Sequence, residues 1–260
     1  FYYNSTSNAF KYVQPGGVSA GTWASSGALN IGRTSILPSQ GGTQTAAMAG
    51  AGGLPVSDSN SAEQYNGTSW TAVNNVNNAR SAGGGAGTST ATLIFGGNSP
   101  AVDTESFDGT NWSELSELNT NVSSVRGTGT QTAAICVGGT SSNRTELWNG
   151  SAWTELAGNL NTARAAIQCM GISTAALAAG GSPDQAITES WNGSSWTEVG
   201  NLNTGKSDGG AAGIQTLGIS GCGTQTAAVA FGGSPGSSAS GSATEEWTVP
   251  DVVIKTVTTS

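Results

Sequence analysis

One unit of about 42 residues is repeated along this chain, and this repetition constrains the fold more than any other feature. The stretch WNGSAWTELAGNLNTAR, which begins at Trp148, returns in similar form as WNGSSWTEVGNLNTGK from Trp191. A single unit of this length cannot bury its apolar residues alone, so neighbouring copies must stack on one another. The chain must therefore fold as an array or a ring of similar units.

Each copy contains an apolar stretch of the type Gly-x-x-Thr-Ala-x-apolar that runs into two consecutive glycines. The five glycine doublets are Gly52-Gly53, Gly96-Gly97, Gly138-Gly139, Gly180-Gly181 and Gly232-Gly233. After each doublet comes Glu-x-aromatic, and in four copies a Trp stands five residues after the aromatic residue. The repeated glutamates are Glu63, Glu105, Glu146, Glu189 and Glu245, and the four tryptophans are Trp70, Trp112, Trp153 and Trp196. Residues that recur once per copy are expected to be structural.

The residues between the aromatic residue and the Trp predict a β-hairpin in each copy. They read YNGTSW, FDGTNW, WNGSAW and WNGSSW. Asn-Gly and Asp-Gly favour the type I′ turn, in which both central residues have positive φ. A connector that ends in a basic residue, such as Arg80 or Arg164, then leads into the next copy. Each copy is therefore predicted to contain four short antiparallel strands.

Composition agrees with short strands and many turns. The chain has 40 glycines among 260 residues, and only 9% of its residues are charged, which disfavours long surface helices. It has no His, so the usual zinc ligand sets and nucleophile pairs that use imidazole are missing. Cys136, Cys169 and Cys222 are widely spaced, and we expect them to be reduced and buried. No metal and no cofactor is expected.

The repeated pattern resembles the kelch family of β-propellers. It shares the apolar strand that ends in Gly-Gly, the Glu-x-aromatic segment, the Trp of the following strand and the basic residue before the next copy. The resemblance covers residues 21–249 and implies an all-β fold of four-stranded blades. The third connector departs from it, because Asn121-Val122 stands where the other connectors have Arg or Lys, although Arg126 follows shortly after.

The ends of the repeat predict how a ring would close. The fifth copy has Glu245 and Trp247 but no Trp five residues later, whereas the N-terminal stretch GTWASSGALNIGR from Gly21 matches the Trp strand and connector of the other copies. Trp23 then takes the part of Trp70, and Arg33 that of Arg80. We predict a closed, five-bladed, kelch-like β-propeller in which the strand around Trp23 completes the last blade, around Trp247.

Three segments follow from this assignment. Residues 1–20 form a leader, residues 21–249 form the propeller, and residues 250–260 form a C-terminal tail strand. The sequence begins with Phe1 rather than Met, and we expect it to belong to a longer chain.

Charge limits the partners that we expect. The net charge is −8 and the eight basic residues are scattered singly, which predicts neither nucleic-acid binding nor attraction to an anionic membrane. No apolar run approaches the roughly 20 residues of a membrane span. Acidic residues outside the repeat are candidates for binding, since function is often placed on loops. They are Asp58, Asp103, Asp184 and Asp208.

The leader indicates a setting for the ring. FYYNSTSNAFKYV, from Phe1, resembles short hairpin segments of bacteriophage tail fibres, and the low-charge repeats resemble propeller modules of marine phages. This resemblance implies a virion structural protein that folds in the host cytoplasm and is then exposed on the particle surface. Other virion proteins are the implied partners, and a homotrimer is expected by analogy with fibres.

Three functions stay open at this point. The first is a non-enzymatic head domain of a tail fibre or similar appendage that binds a host surface glycan or protein. The second is a decoration or scaffold module that binds only other virion proteins. The third is a polysaccharide-degrading enzyme, which would need two close carboxylates in one pocket.

Overall fold

The computed structural model of the chain describes residues 26–43, 45–98 and 101–209 with their side chains, and the backbone of residues 210–213 and of four further strands. The predicted closing residue Trp23, the doublet Gly232-Gly233 and the tail 250–260 lie outside the described residues. The described residues form 21 β-strands, and none of them forms a helix that is long and apolar enough to cross a membrane.

The strands are short and follow one another at regular intervals. They are β1 (Tyr2–Asn4), β2 (Ala9–Lys11), β3 (Leu37–Pro38), β4 (Ala47–Gly53), β5 (Asp58–Tyr65), β6 (Trp70–Val73), β7 (Gly84–Thr88), β8 (Ala91–Phe95), β9 (Thr104–Phe107), β10 (Trp112–Leu115), β11 (Arg126–Thr130), β12 (Ala133–Val137), β13 (Thr145–Trp148), β14 (Trp153–Glu155), β15 (Gln168–Ile172), β16 (Ala175–Ala179), β17 (Thr188–Trp191), β18 (Trp196–Glu198), β19 (Gly210–Gly213), β20 (Ala227–Phe231) and β21 (Thr244–Thr248).

Consecutive strands pair antiparallel within each copy of the repeat. Four sheets have four strands in chain order: β3 to β6, β7 to β10, β11 to β14 and β15 to β18. A fifth sheet contains β19, β20 and β21, and the leader strands β1 and β2 pair with each other. The all-β prediction is confirmed, and four copies have the predicted four-stranded sheet. The arrangement is consistent with a multi-blade β-propeller.

The first strands of the sheets lie side by side. Strand β11 neighbours β7 and β15, while β3 neighbours β7 and β15 neighbours β19. These strands approach so closely that a Cβ on Gly85 would come within 2.0 Å of the Pro38 carbonyl oxygen. Between β11 and the next sheet, the Thr128 hydroxyl donates to the Gly171 carbonyl over 2.7 Å. Small residues are therefore required on these inner strands by the contact between sheets.

The antiparallel order gives the assembly two different ends. At one end, which we call the hairpin end, lie the tight turn between first and second strands and the Asn-Gly loop between third and fourth strands. At the other, which we call the loop end, lie the variable loop between second and third strands and the connector to the next sheet. Loops of the same kind thus gather at the same end.

The Asn-Gly loops differ from the predicted type I′ turn. Tyr65 pairs directly with Trp70, which leaves a four-residue loop, and only its glycine, Gly67, has positive φ. The Asn66 side-chain oxygen accepts the backbone N–H groups of Thr68 and Ser69, each over 3.0 Å. The two-residue turn was wrong because the side-chain oxygen caps a longer loop. The predicted antiparallel pairing of the aromatic residue with the Trp is observed in this hairpin.

The first glycine doublet also lies one residue away from its predicted position. Later doublets combine φ near +65° with φ near +120°, as in Gly96 (+64°) and Gly97 (+132°). In the first copy these values belong to Ala51 (+52°) and Gly52 (+121°), where β4 contains a bulge. Gly53 is therefore not equivalent to the second glycine of the other doublets. Because Ala51 stands at the position of the first glycine, the equivalent pair of residues could not be recognised from the sequence.

Candidate functional site

The repeated glutamates bind the connector that precedes their sheet. The carboxylate of Glu105 accepts the backbone N–H of Asn77 over 2.7 Å and its side-chain amide over 2.8 Å. The same pair of bonds joins three further connectors to the next sheet. These pairs are Asn30 with Glu63, Asn119 with Glu146 and Asn161 with Glu189. Each of these carboxylates is buried and makes structural hydrogen bonds.

Three of the four glutamates also form an ion pair with the basic residue of the connector. Arg33 binds Glu63 over 2.8 Å. The equivalent partners in the next copies are Arg80 with Glu105 and Arg164 with Glu189, and both side chains of each pair are fully buried. Arg164 additionally donates to the carbonyl oxygens of Gly180, Thr162 and Ala178. Each of these arginines therefore fastens a connector to the sheet that follows.

The connector to the sheet β11 to β14 departs from this pattern, as its sequence predicts. A Cβ on Gly139 would meet Val122, just as a Cβ on Gly97 or Gly181 would meet the connector arginine. Val122 thus occupies the arginine position, and beside it lies a cavity of about 10 Å³, which Val122 and Glu146 help to line. Arg126, which follows shortly after in the chain, binds Asp208 instead of Glu146.

Replacing Val122 with Arg is expected to stabilise the protein by about 1–2 kcal/mol, because Glu146 is already buried and lacks the charged donor of its siblings. Arg80 and Arg164 stand at the equivalent position of two other connectors, and each reaches the repeated glutamate of its sheet. Urea denaturation of V122R and of the uncharged control V122M measures the effect. A V122R protein less stable than V122M would contradict it.

The tryptophans join adjacent sheets. The indole N–H of Trp153 donates to the Thr104 hydroxyl of the preceding sheet, and that of Trp196 donates to Thr145, each over 2.9 Å. Trp112, Trp153 and Trp196 are buried, whereas Trp70 is only half-buried. Stacking on a sugar is thus blocked at the buried positions.

An axial cavity of about 620 Å³ lies between the inner strands, and residues from all five copies line it. Most of them belong to the start of an inner strand or directly precede it, so the cavity lies mainly toward the loop end. The lining residues include Ile36, Pro38, Arg126, Ile167, Gln168 and Asp208. Positions at which the five copies differ therefore meet around this cavity.

The backbone just before each inner strand, which we call the rim, is held in the left-handed region. One non-glycine residue in each connector, two positions before the inner strand or its equivalent, has φ between +46° and +59°. These residues are Ser35, Ala82, Ser124, Ala166 and Asp208. Backbone hydrogen bonds link several of these residues from copy to copy. The N–H of Ala82 donates to the carbonyl oxygen of Ser35, that of Ala166 to Ser124, and that of Asp208 to Ala166. Such strain persists only where the surrounding structure imposes it.

One ion pair crosses the rim. The Arg126 guanidinium donates to the Asp208 carboxylate over 3.0 Å, and the two residues belong to the third and fifth copies. Burial lowers the pKa of Arg126 from its ordinary value, and the negative charge of Asp208 opposes this shift. The pair leaves the cavity lining without net charge from these two groups.

Gln168 is the unusual polar residue of the lining. Its relative exposure is 1%, yet neither its amide nitrogen nor its amide oxygen has a hydrogen-bond partner in the protein. A buried amide without partners costs about 1–3 kcal/mol for each unsatisfied group, so such groups are rare in native proteins. At the equivalent strand position the other copies have Leu37, Gly84, Arg126 and Gly210.

The four acidic loop candidates all lie at the loop end but have different surroundings. Asp58 begins β5. Asp103 accepts the Asn78 amide over 2.7 Å, and Asp184 accepts the Ser207 hydroxyl over 3.0 Å. Only Asp208 lines the axial cavity. The structure therefore brings one of the four candidates into this site and uses two others in local hydrogen bonds.

Cys136 and Cys169 are free, buried thiols. Burial raises the pKa of Cys169 to about 12, against the opposing effects of the Arg164 charge and of a backbone hydrogen bond at Met170. Burial likewise raises the pKa of Cys136 well above its ordinary value. Cys222 lies outside the described residues.

In a folded C222S protein, both remaining thiols are expected to react with a disulfide reagent at pH 8 at least about a thousandfold more slowly than in the same protein unfolded in urea. The thiolate is the nucleophile, and burial disfavours the thiolate in the folded protein. Colourimetric thiol release measures the rates. Fast native reaction of one thiol would show that its surroundings are open to solvent.

Sequence reasoning singled out Asp208 but missed the roles of Arg126 and Gln168. Both stand at the first position of an inner strand, where the other copies have Leu or Gly. A polar residue that breaks the repeat at a small or apolar position was the available signal. It could be recognised only after the inner strands had been aligned.

No group of three or more His, Cys, Asp or Glu side chains that could hold a metal ion occurs among the described residues. Comparison with protein-family models and with curated proteins finds no match to this sequence.

Proposed function

We propose that the chain is a non-enzymatic, exposed head domain of a phage tail fibre or similar virion appendage, and that it binds a host surface glycan or protein at its loop end. The proposal rests on a difference between the recurrent residues and the variable ones. The recurrent Glu, Asn and Trp side chains are engaged between sheets, while the residues that differ between copies gather at the loop end and the axial cavity.

The proposal includes a closed, five-bladed, kelch-like ring in which residues around Trp23 supply the fourth strand of the fifth sheet. The first connector supports this closure. The Asn30 amide donates to the Trp70 carbonyl over 3.0 Å, as the Asn119 amide donates to the Trp153 carbonyl over 3.0 Å. In the other copies this connector follows directly on an outermost strand. The axial cavity lined by all five copies also fits a ring.

Host binding can be tested with the isolated chain on glycan arrays and by blocking adsorption of the parent particle to host cells. Val56, at 95% exposure in the loop between β4 and β5, lies at the loop end, and exposed Thr90 lies at the hairpin end. A glycan- or cell-binding signal that V56E weakens and T90E leaves unchanged is the expected result.

Three outcomes would contradict the proposal. Absence of binding on both arrays and cells, together with unimpeded adsorption, would remove the receptor-binding role. Density that places the ring against the capsid or tail tube with its loop end covered would assign it to a decoration or scaffold module instead. Hydrolysis of host polysaccharide that D103N or D184N abolishes would identify an enzyme.

A further inference from the structure

We propose that Asn149 and Asn192, in two loops of the hairpin end, are sites of spontaneous deamidation in the folded protein. Each is followed by a glycine, and both residues of each Asn-Gly step are exposed to solvent. The reactants are the chain itself and water, so the modification requires no enzyme. Because these loops lie at the end opposite the loop end, the proposal is independent of the receptor-binding role.

The reaction is an intramolecular cyclisation followed by hydrolysis. Hydroxide removes the proton of the Gly150 backbone nitrogen, which then attacks the side-chain Cγ of Asn149. The negative charge passes to Oδ1, the bond from Cγ to the side-chain nitrogen breaks, and the amide leaves as ammonia with a proton from water. Water opens the resulting cyclic imide at either carbonyl. The product is aspartate, or isoaspartate when the chain continues through the side-chain carboxyl group.

The attacking nitrogen is accessible in both loops. Within the described part of the chain, no hydrogen bond engages the N–H of Gly150 or of Gly193. Both glycines have φ of +94°, a conformation that residues with a Cβ rarely adopt. No side chain therefore shields the nitrogen, and solvent base can reach its proton.

The oxygen that becomes negative already lies among hydrogen-bond donors. Oδ1 of Asn149 accepts the backbone N–H groups of Ser151 and Ala152 and the hydroxyl of Ser151, each over 2.9 Å. Asn192 accepts the three equivalent hydrogen bonds, also over 2.9 Å. Donors bind an oxyanion more strongly than a neutral amide oxygen, so these bonds stabilise the transition state of cyclisation more than the starting loop.

Asp108 shows that the aspartate product fits such a loop. It stands at the equivalent place in the second copy, where its carboxylate accepts the N–H of Thr110 over 2.8 Å and that of Asn111 over 2.7 Å. The backbone hydrogen bonds from Asn111 and from Thr110 lower the pKa of Asp108. Aspartate at the deamidated positions is therefore expected to be ionised, and each conversion adds one negative charge to the hairpin end.

The first copy provides a comparison within the same chain. Oδ1 of Asn66 accepts the N–H groups of Thr68 and Ser69, each over 3.0 Å, but no hydroxyl group in the described loop donates to it. We expect Asn66 to deamidate about three- to tenfold more slowly than Asn149, which corresponds to one neutral hydrogen bond.

Peptide mass spectrometry of the full chain, incubated in mildly alkaline buffer, measures conversion at each position. A sample unfolded in urea sets the incubation time, which ends when its Asn-Gly steps are fully converted. In the folded sample, most of Asn149 and Asn192 is expected to have become aspartate or isoaspartate. If most of both residues stays asparagine, the loop hydrogen bonds protect the side chain and the proposal is wrong.

Ser151→Ala is the critical variant because it removes the hydroxyl donor at Asn149 and keeps the backbone donors. It is expected to slow conversion at position 149 about three- to tenfold. Conversion at Asn192 should stay unchanged, which makes that loop the internal control for folding and buffer. Ser194→Ala should give the reverse pattern. Unchanged or faster conversion at position 149 in S151A would show that the donors around Oδ1 do not promote the reaction, and would overturn the proposed mechanism.

Discussion

Replacing Arg164 with Met should destabilise the protein by about 3 kcal/mol, the largest electrostatic effect that we expect from one substitution. Both members of the Arg164–Glu189 pair have side chains with 0% exposure, so the substitution leaves a carboxylate buried without its cation. It also leaves the carbonyl oxygens of Gly180 and Ala178 without their donor. Urea denaturation followed by tryptophan fluorescence measures the loss.

The double variant R164M/E189Q is the matched control. Removing both charges avoids the uncompensated carboxylate, so the double variant should recover at least about 1 kcal/mol relative to R164M. The third connector shows why the loss is not larger: Glu146 stays buried with Asn119 as its donor and Val122 at the arginine position. A double variant less stable than R164M would contradict the ion-pair account.

Trp153→Ala is expected to cost about 3–5 kcal/mol, the usual range for removing a buried Trp or Phe side chain. The ring of Trp153 lies 4.8 Å from that of Phe95 in the preceding sheet and 5.4 Å from that of Trp148 in its own sheet. Its removal therefore opens a cavity between two sheets. The unfolding free energy from urea denaturation checks the value.

A more conservative replacement separates the packing from the hydrogen bond. Trp153→Phe keeps an aromatic ring but loses the N–H that donates to Thr104 over 2.9 Å. We therefore expect the unfolding free energy to fall by only about 1–2 kcal/mol, from the lost hydrogen bond and the smaller ring. Equal losses for Phe and Ala would show that the hydrogen bond, and not the packing of the two sheets, determines the contribution of Trp153.

The repeat made the sheets predictable because each strand boundary is marked four or five times. A single Asn-Gly or Gly-Gly is ambiguous, but its recurrence with Glu-x-aromatic and Trp at fixed spacing specifies strand order and pairing. The same repetition separated structure from function. Glu105 was assigned to the fold because it recurs, and its carboxylate does bind the backbone and side chain of Asn77.

Details that depend on three-dimensional geometry could not be predicted. The turn at Asn66 was assigned two residues because side-chain capping of a four-residue loop has the same sequence signature. Ala51 hid the first doublet because an alanine adopts φ of +52° there. Gln168 and Arg126 were overlooked because their shared position, at the start of two inner strands, could be recognised only after those strands had been aligned.

A disulfide trap tests whether the first and last copies meet and close the ring. Leu147 pairs with Thr154 across the hairpin of β13 and β14, and the equivalent residues at the proposed closure are Glu246 and Ala24. The test protein carries Ala24→Cys and Glu246→Cys with Cys222→Ser. The positive control carries Leu147→Cys and Thr154→Cys, and the negative control combines Ala24→Cys with Thr154→Cys.

Mild oxidation followed by mass spectrometry of the peptides gives the answer. In a closed ring, an intramolecular link between positions 24 and 246 should form as readily as the 147–154 control and exceed the 24–154 background. No link between 24 and 246 under conditions that fully oxidise the positive control would mean that the first and last copies do not meet.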